Sequence, residues 1–182
     1  MFKAFLIKYA EIGIKGKNRY PFEDALIRQI QHALKDVDGK FQVTKEQGRV
    51  YVEPEGEFDY EDTVDALKRV FGIAEICPVM ICQDNGFEAL AEDLLRYVDH
   101  VYPQKNRTFK MHVRRARKSY PGTSMSLNAE LGERILKAYP EMKVDVHHPE
   151  ILLVVEIRER IYIYSETIPV PGGMPVGTNG KA

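Results

Sequence analysis

Apolar residues in the first half of the chain follow helix-like spacing in two stretches and strand-like spacing in four. Between residues 20 and 37 they recur every three or four positions, as along one face of an α-helix. They are Phe22, Leu26, Ile30, Ala33 and Val37. Runs rich in β-branched and aromatic residues predict strands, and Gln47-Gly48 is a hairpin signal. The predicted strands span residues 2–9, 41–45, 49–53 and 73–82, and the predicted helices span residues 20–37 and 61–71.

The second predicted helix carries Val64, Leu67 and Phe71 on one face, and Gly72 after it is a helix stop signal. Pro78 interrupts the strand that follows. The order of the six elements is therefore β-α-β-β-α-β. This order predicts a ferredoxin-like domain, an antiparallel sheet with two helices on one face.

The second half of the chain predicts the order α-β-α-β-β. Its helices are predicted at residues 87–98 and 124–139, and its strands at residues 109–113, 151–157 and 161–165, with a further short strand at 144–146. Gly132 lies inside the second of these helices, where it lowers helix propensity and permits a close backbone approach. Residues 168–182 are rich in Pro and Gly and have no core pattern, which is typical of a linker.

Charge is distributed unevenly along a chain that is nearly neutral overall, with 26 basic and 27 acidic residues. Between residues 101 and 129 there is no Asp or Glu. The same stretch holds seven cations: Lys105, Arg107, Lys110, Arg114, Arg115, Arg117 and Lys118. Such a patch neutralises phosphates, whereas a strand edge protected by charge is the alternative interpretation. Arg outnumbers Lys here, and Arg suits bidentate phosphate contacts, so nucleic-acid binding is favoured.

Other features narrow the class of protein. Seven acids and no Lys or Arg lie between residues 53 and 65, a pattern typical of a solvated loop that leads into a helix. No apolar run reaches membrane-spanning length, and the first residues do not resemble a signal peptide. Cys77 and Cys82 fit neither a redox nor a zinc motif, which favours reduced thiols in a cytoplasmic protein.

Several segments resemble one family of RNA-modifying enzymes. FKMHVRRARKSYPGTSMSLNAELG is similar to the central motif of the THUMP domain, an RNA-binding module. EIGIKGKNR resembles the opening signature of the tRNA 4-thiouridine synthetase family, and LKRVFGIAEICPV and HPEILLVVEIRERIYIYSE resemble later blocks of that family. The tail PGGMPVGTNGK is similar to the segment that joins THUMP to a catalytic domain. The resemblance covers nearly the whole chain.

The resemblance implies an α+β architecture of three parts. A ferredoxin-like N-terminal domain is expected at residues 1–77 and an α/β THUMP domain at residues 78–167, although a profile boundary for THUMP could begin near residue 60. Residues 168–182 are expected to link these domains to a PP-loop ATP pyrophosphatase domain. The PP-loop signature SGGxDS is absent from this chain, so the chain is expected to bind its substrate without catalysing the reaction.

The resemblance also implies a biological role. In this family the uridine at the eighth tRNA position is activated with ATP, with Mg, and its oxygen is replaced by sulfur from a persulfide donor. A cysteine desulfurase is expected as the sulfur source, and a link to thiamine thiazole synthesis and a homodimer are compatible with the family. The first two domains are expected to hold the tRNA acceptor stem and its 3′ CCA end.

Candidate RNA-binding residues fall into two clusters. Those of the first domain are Lys15, Lys17, Asn18 and Arg19. Those of the second domain are Lys110, His112, Arg114, Arg115, Arg117, Lys118, Tyr120, Ser124, Ser126 and Asn128. Arg115 and Lys118 match the THUMP motif best, so we expect them to contact phosphate. Tyr120 is expected either to stack on an unpaired base or to pack in the core. Ser124 is expected either to cap a helix or to contact RNA.

Two other interpretations remain open on sequence grounds. Within the RNA-binding class, THUMP domains also occur in tRNA methyltransferases, pseudouridine synthases and deaminases, although EIGIKGKNR and the tail favour the thiouridine enzyme. From another class, a ferredoxin-like domain with a basic Gly loop could bind phosphate or a metabolite. Such a module would not need a basic strand in its second domain.

Overall fold

The computed structural model describes residues 4–9, 19–46 and 49–171 of the chain. These residues form two units. The first unit comprises residues up to Pro78 together with the segment from Glu166 onward, and the second is Val79–Ser165. Each unit has its own apolar core.

The first unit has the element order that the sequence predicts. It contains strand β1 (Ala4–Tyr9), helix α1 (Arg19–Ala33), a 3-10 turn (Leu34–Asp36), strands β2 (Phe41–Glu46) and β3 (Arg49–Pro54), helix α2 (Tyr60–Lys68) and the first part of strand β4 (Ile73–Cys82). The strands lie in the order β2-β3-β1-β4, and β3 is antiparallel to both β1 and β2. The predicted ferredoxin-like arrangement is confirmed.

The acidic run leads into α2, as the charge pattern predicts. The Asp59 side chain accepts a hydrogen bond of 2.9 Å from the Asp62 backbone N–H and so caps the helix. Glu61 and Asp62 lie in the first turn, at the positive end of the helix dipole. The helix therefore begins where its acids are most stabilising.

The predicted ends of both helices in the first unit are wrong. α2 ends at Lys68, so Val70 turns into the core whereas Phe71 is 59% exposed. Gly72 then adopts a φ of 101°, which a side chain would disfavour. α1 gives way at Leu34 to the tighter 3-10 turn, which ends at an extended Val37. Apolar spacing alone does not reveal where the backbone leaves the α conformation.

β4 continues through Pro78 because the proline lies between two paired segments. Glu75 and Ile76 pair with one neighbouring strand and residues 80–82 pair with another. The missing N–H of Pro78 therefore falls outside both of these ladders. The predicted interruption is wrong for this reason.

The expected linker belongs in part to the first unit. Ile168–Pro169 form a short strand, β9, that is antiparallel to β4, and the Val170 N–H donates to the Ala74 carbonyl at 3.0 Å. Val170 is 5% exposed and lies in the first core. Two apolar residues separated by one position are too few to be detected as a pattern. Residues 172–182 of the expected linker lie outside the described residues.

The second unit places two helices against one face of a mixed sheet. It contains the end of β4, helix α3 (Phe87–Val101), strand β5 (Thr108–Arg115), helix α4 (Ser124–Ala138), and strands β6 (Lys143–Val144), β7 (Ile151–Ile157) and β8 (Ile161–Tyr164). The strand order is β4-β8-β7-β5-β6, with β5 parallel to β6 and β7 and with β7 antiparallel to β8. The predicted α/β order is confirmed. The first residues of β5 pair with β6 on one side and with β7 on the other.

Both cysteines are free thiols buried along β4. Burial, together with the nearby Asp93 carboxylate, raises the pKa of the Cys82 thiol to about 12, although Arg96 opposes the shift. Burial also raises the pKa of Cys77, whose sulfur lies 3.7 Å from the Thr167 hydroxyl oxygen. These environments disfavour the reactive thiolate.

We therefore expect Cys82 to resist alkylation in the folded chain. At pH 8 a thiol with a pKa of about 12 reacts roughly a thousandfold more slowly than a free cysteine, because only the thiolate attacks. Mass spectrometry of iodoacetamide-treated protein resolves the two sites, and the urea-unfolded chain provides the control. Equal labelling of folded and unfolded protein at Cys82 would contradict the prediction.

Candidate nucleic-acid interface

Alternation along β5 sorts the predicted residues onto two faces. Phe109, Met111 and Val113 are buried in the core beneath α3 and α4. The side chains between them lie on the other face, which we call the basic face: Lys110, His112 and Arg114. Lys110 is half-buried, whereas His112 and Arg114 are exposed. A pattern of period two thus gathers three predicted residues on one surface.

Arg114 lies next to a buried carboxylate. Its Nη1 atom is 3.8 Å from Oε2 of Glu156, the residue beside it on β7. Glu156 is fully buried, and its other oxygen accepts a hydrogen bond of 2.8 Å from Nε of the buried Arg158. Two guanidinium groups thus share one carboxylate, so the cluster keeps a net positive charge. Arg114 is 48% exposed and can contact a ligand.

The environment of the basic face lowers the pKa of His112. Partial desolvation lowers the pKa of His112, and repulsion from Arg114 and Lys110 lowers it further, while Glu156 opposes the shift. The imidazole is therefore neutral at pH 7 in the RNA-free chain. A phosphate placed on this face would reverse that preference, because it would stabilise the protonated ring.

We expect tRNA affinity to rise as the pH falls from 7.5 to 5.5, in part through His112. A phosphate beside the ring would raise the pKa of His112 above its lowered value in the free chain, so binding would take up a proton. The same lowered pKa reduces stability below about pH 6.5, since the unfolded chain protonates more readily. Binding isotherms at constant ionic strength, for wild type and His112→Gln, measure the effect. Identical pH profiles would show that no phosphate lies near this side chain.

Arg115 is used inside the loop that follows β5. Its Nη1 group donates to the backbone carbonyls of Lys118 and Tyr120, at 2.6 Å and 2.9 Å. These two bonds close residues 115–120, which we call the arginine loop, into a compact turn. The structure thus gives Arg115 a bracing role within the loop, and the direct phosphate contact that the motif implied for it stays a prediction.

Arg117 fastens the same loop to its surroundings. Its Nε donates to the Arg158 carbonyl at 2.7 Å, and its Nη2 lies 2.6 Å from Oδ2 of Asp84. Its backbone N–H donates to the Ile157 carbonyl at 2.8 Å. The hydrogen bond from Arg117 also lowers the pKa of Asp84. Arg117 therefore joins the loop to the end of β7 and to the start of α3.

Lys118 remains exposed at the turn of the arginine loop. Its backbone carbonyl accepts from Arg115, while no ion pair involves its ammonium group among the described residues. The two arginines of the loop thus form hydrogen bonds that hold its conformation, whereas its lysine is exposed to solvent. This division of roles explains why residues so close in sequence differ in availability.

Tyr120 packs in the core of the second unit. Its side chain is 4% exposed, and its hydroxyl has no hydrogen-bond partner among the described residues. The Arg117 guanidinium lies 5.7 Å from the ring centroid. A buried ring cannot stack on a base, so the core-packing alternative is the correct one.

The N-terminus of α4 is organised by its own side chains. Thr123, rather than Ser124, is the cap, and it forms a reciprocal capping box with Ser126 through two bonds of 3.0 Å. Oδ1 of Asn128 accepts a hydrogen bond of 2.8 Å from the Val113 N–H. Ser126 and Asn128 therefore position the helix, while Ser124 is half-buried in its first turn. The T-x-x-S spacing could have indicated this cap.

The first-domain cluster lies almost wholly outside the described residues. Lys15, Lys17 and Asn18 fall in the range that the structure does not describe, and Arg19 begins α1 without a described side chain. Within the described residues, no group of three or more metal-ligating side chains occurs, and no helix is long and apolar enough to cross a membrane.

Sequence reasoning missed the partners that organise the arginine loop. Asp84 precedes α3 by three residues, and no pattern in the sequence links it to Arg117. Glu156 and Arg158 are charged residues in or beside an apolar run, a weak signal of a buried ion pair. Nothing near Arg114 or Arg117 in the sequence predicts that their partners are Glu156, Arg158 and Asp84.

Two domain models match the chain with this architecture. The ThiI ferredoxin-like domain matches residues 4–77, and the THUMP domain matches residues 85–166. The chain belongs to the ThiI family. The alternative of a metabolite-binding module is therefore not supported, because the first half of the chain matches the ThiI ferredoxin-like domain and the second half matches the THUMP domain.

Curated relatives of the ThiI chain carry the name probable tRNA sulfurtransferase. The protein from Agathobacter rectalis is 58% identical over 182 residues, and that from Lachnospira eligens is 59% identical over 183 residues. Both alignments cover the whole of this chain but only 46% and 47% of the relatives. The chain thus spans about half the length of the curated relatives it matches.

A solved structure agrees with this assignment of the ThiI chain. The crystal structure of a 4-thiouridine synthetase–RNA complex with bound ATP superposes with a TM-score of 0.77 at 33% identity, covering all of this chain and 45% of that one.

Proposed function

We propose that the chain is the tRNA-binding portion of a tRNA 4-thiouridine synthetase. The observation that carries the proposal is the basic face of the THUMP domain, together with the exposed Lys118 on the adjoining loop. Arg114 and Lys118 contact phosphates, and Lys110 and His112 add to the local potential. The whole chain has a net charge of −1, so attraction to phosphate comes from local basic surfaces rather than from the overall charge.

Phosphate contacts place the tRNA without reading its sequence. The arginine loop provides a rigid lysine beside the strand, so the two contact points keep a constant spacing. Such a surface holds the acceptor stem and the 3′ CCA end in one register for many different tRNAs. A second contact with the acceptor stem is provided by Lys15, Lys17, Asn18 and Arg19. This basic stretch of sequence also contains Gly13 and Gly16, and glycine permits a close approach of backbone to phosphate.

In the whole protein, binding of the acceptor stem and 3′ CCA end by this chain presents the uridine at the eighth tRNA position to a further ATP-dependent domain. ATP with Mg, a persulfide donor and a cysteine desulfurase belong to that complete reaction, which is linked to thiamine thiazole synthesis and compatible with a homodimer. The reaction takes place in the cytoplasm. The 182-residue chain itself binds tRNA and does not carry out the sulfur transfer. The known rate benefit of fixing a reactant in place is the physical reason for a separate binding portion.

The decisive experiment compares intact tRNA with tRNA that lacks its CCA end. We expect removal of the CCA end to weaken binding by the 182-residue chain at least tenfold at about 0.1 M salt, because contacts at the 3′ end are lost. Fluorescence anisotropy with both tRNAs over a salt series measures affinity and slope together. Equal affinities for the two tRNAs would contradict the proposed binding of the CCA end. An affinity that does not change with salt would contradict the proposed phosphate contacts.

A further inference from the structure

A groove in the second unit collects most of the exposed large apolar side chains of the described residues. Met125 is 81% exposed, Leu136 37%, Val144 51% and Val146 53%, and all four line this groove. Its volume is about 510 Å³, and it lies between α4 and the segment that begins with β6. Apolar patches of this kind on a soluble domain are typical of interaction sites.

The groove runs along a free strand edge. β6 pairs with β5 only at Thr108 and Phe109, and no other described strand pairs with that side of β5. The Val113 N–H on β5 is satisfied by the Asn128 side chain. The short stretch of this edge between Phe109 and Val113 is a template for an added strand.

Gly132 lies in the groove and has no steric reason to be a glycine. It is in the middle of α4, where glycine costs about 1 kcal/mol of stability relative to alanine. A Cβ atom built at this position would meet only Cγ of Met111, at 3.8 Å, which is an ordinary contact. Packing among the described residues therefore does not require a glycine at this position. Its absence keeps the groove deep.

The charge and the walls of the groove decide between ligand classes. Its charged lining residues are Lys110 and Glu133, which have opposite signs, and Lys137 lies 3.8 Å from Glu133. Surfaces that bind single-stranded RNA are basic and offer aromatic rings for stacking. This groove is neutral, and its exposed walls are aliphatic or thioether side chains, which suit apolar side chains of a peptide.

We propose that the groove binds an extended peptide segment of a partner protein, with apolar side chains at alternating positions and little net charge. The peptide adds to the free edge of β5, where its backbone pairs beyond β6 and its apolar side chains pack against Met125, Leu136 and Val146. The groove shares Lys110 with the basic face, but its proposed contacts at Met125, Leu136 and Val146 do not depend on the proposed tRNA contacts.

A phage-displayed library of random 12-residue peptides tests the proposal on the 182-residue chain. Selection on wild type with counter-selection on Gly132→Leu should enrich peptides that alternate apolar and polar residues. Synthetic copies should bind wild type at least tenfold more tightly than Gly132→Leu or Met125→Glu. Methylating the peptide nitrogens that face β5 should cause a similar loss, because strand addition needs those N–H groups.

Matched variants keep the result interpretable. Met125 is 81% exposed, so its replacement by glutamate leaves folding intact, and Gly132→Ala should raise the thermal midpoint while keeping the groove open. Failure to enrich peptides, or equal binding to Met125→Glu, would overturn the proposal. A wild-type dimer that Met125→Glu abolishes would also overturn it, because the groove would then bind a second copy of the chain. An oligoribonucleotide that shifts the amide NMR signals of Met111 and Gly132, when peptides do not, would show that the groove binds RNA instead. The tRNA affinity of Met125→Glu should match wild type, which separates this test from the proposed function.

Discussion

Replacing both Arg114 and Lys118 with glutamate is expected to lower tRNA affinity about a hundredfold at roughly 0.1 M salt. Each reversal removes one phosphate contact and adds repulsion at the exposed part of the basic face. The salt dependence should change with the affinity, because each contact releases condensed counterions. We expect the slope of log affinity against log salt to shrink by about two units for the double variant.

Lys35→Glu provides the matched control for this experiment. Lys35 is an exposed lysine of the first unit, so its replacement makes the same change of charge per site away from β5. Thermal unfolding should show intact structure in both variants, since surface substitutions cost little. The prediction fails if the folded double variant keeps the wild-type affinity and slope, or if Lys35→Glu weakens binding as much as Lys118→Glu does.

Arg115→Ala is expected to weaken tRNA binding through a different cause. Its guanidinium donates to the Lys118 and Tyr120 carbonyls, at 2.6 Å and 2.9 Å. Loss of these charge-assisted bonds should destabilise the second unit by about 2 kcal/mol and release the arginine loop. Affinity should then fall several-fold because Lys118 is no longer held in place, whereas the salt slope should stay near that of wild type.

Arg115→Lys separates bracing from charge. Lysine keeps the positive charge but cannot reproduce the planar geometry with which Arg115 reaches two carbonyls. We expect this variant to resemble Arg115→Ala in thermal midpoint and in affinity. If instead Arg115→Lys restores binding, and Arg115→Ala reduces the salt slope by about one unit at unchanged stability, then Arg115 contacts phosphate directly.

Charge along the sequence indicated the candidate interface but did not assign roles within it. The absence of Asp and Glu between residues 101 and 129 drew attention to β5 and the loop after it. Within that stretch, the strand period placed Lys110, His112 and Arg114 on one face. Whether an arginine contacts solvent or a carbonyl depends on where the chain turns, and no local pattern reports that.

The fold was predictable where its signals are local. Period-two and helical spacing, with the glycine and hairpin signals, determined the order of elements in both units, because each pattern reflects one side facing a core. The Asp59 cap and the acids of α2 follow from the same local chemistry. Prediction failed at the ends of α1 and α2, which apolar spacing does not mark. It also failed at Pro78 and at Ile168–Val170, where pairing with distant residues decides the conformation.

The sequence by itself determined the α+β class, the order of the elements and the basic stretch around β5, since these depend on residue type and spacing. Only the tertiary structure assigned bracing roles to Arg115 and Arg117 and left Lys118 exposed. Only the tertiary structure placed Glu156 beside Arg114 and opened a groove beside Gly132. The physical reason is the same in each case. These properties arise when strands and loops distant in sequence come into contact, and hydrogen-bond partners across such contacts are chosen by geometry.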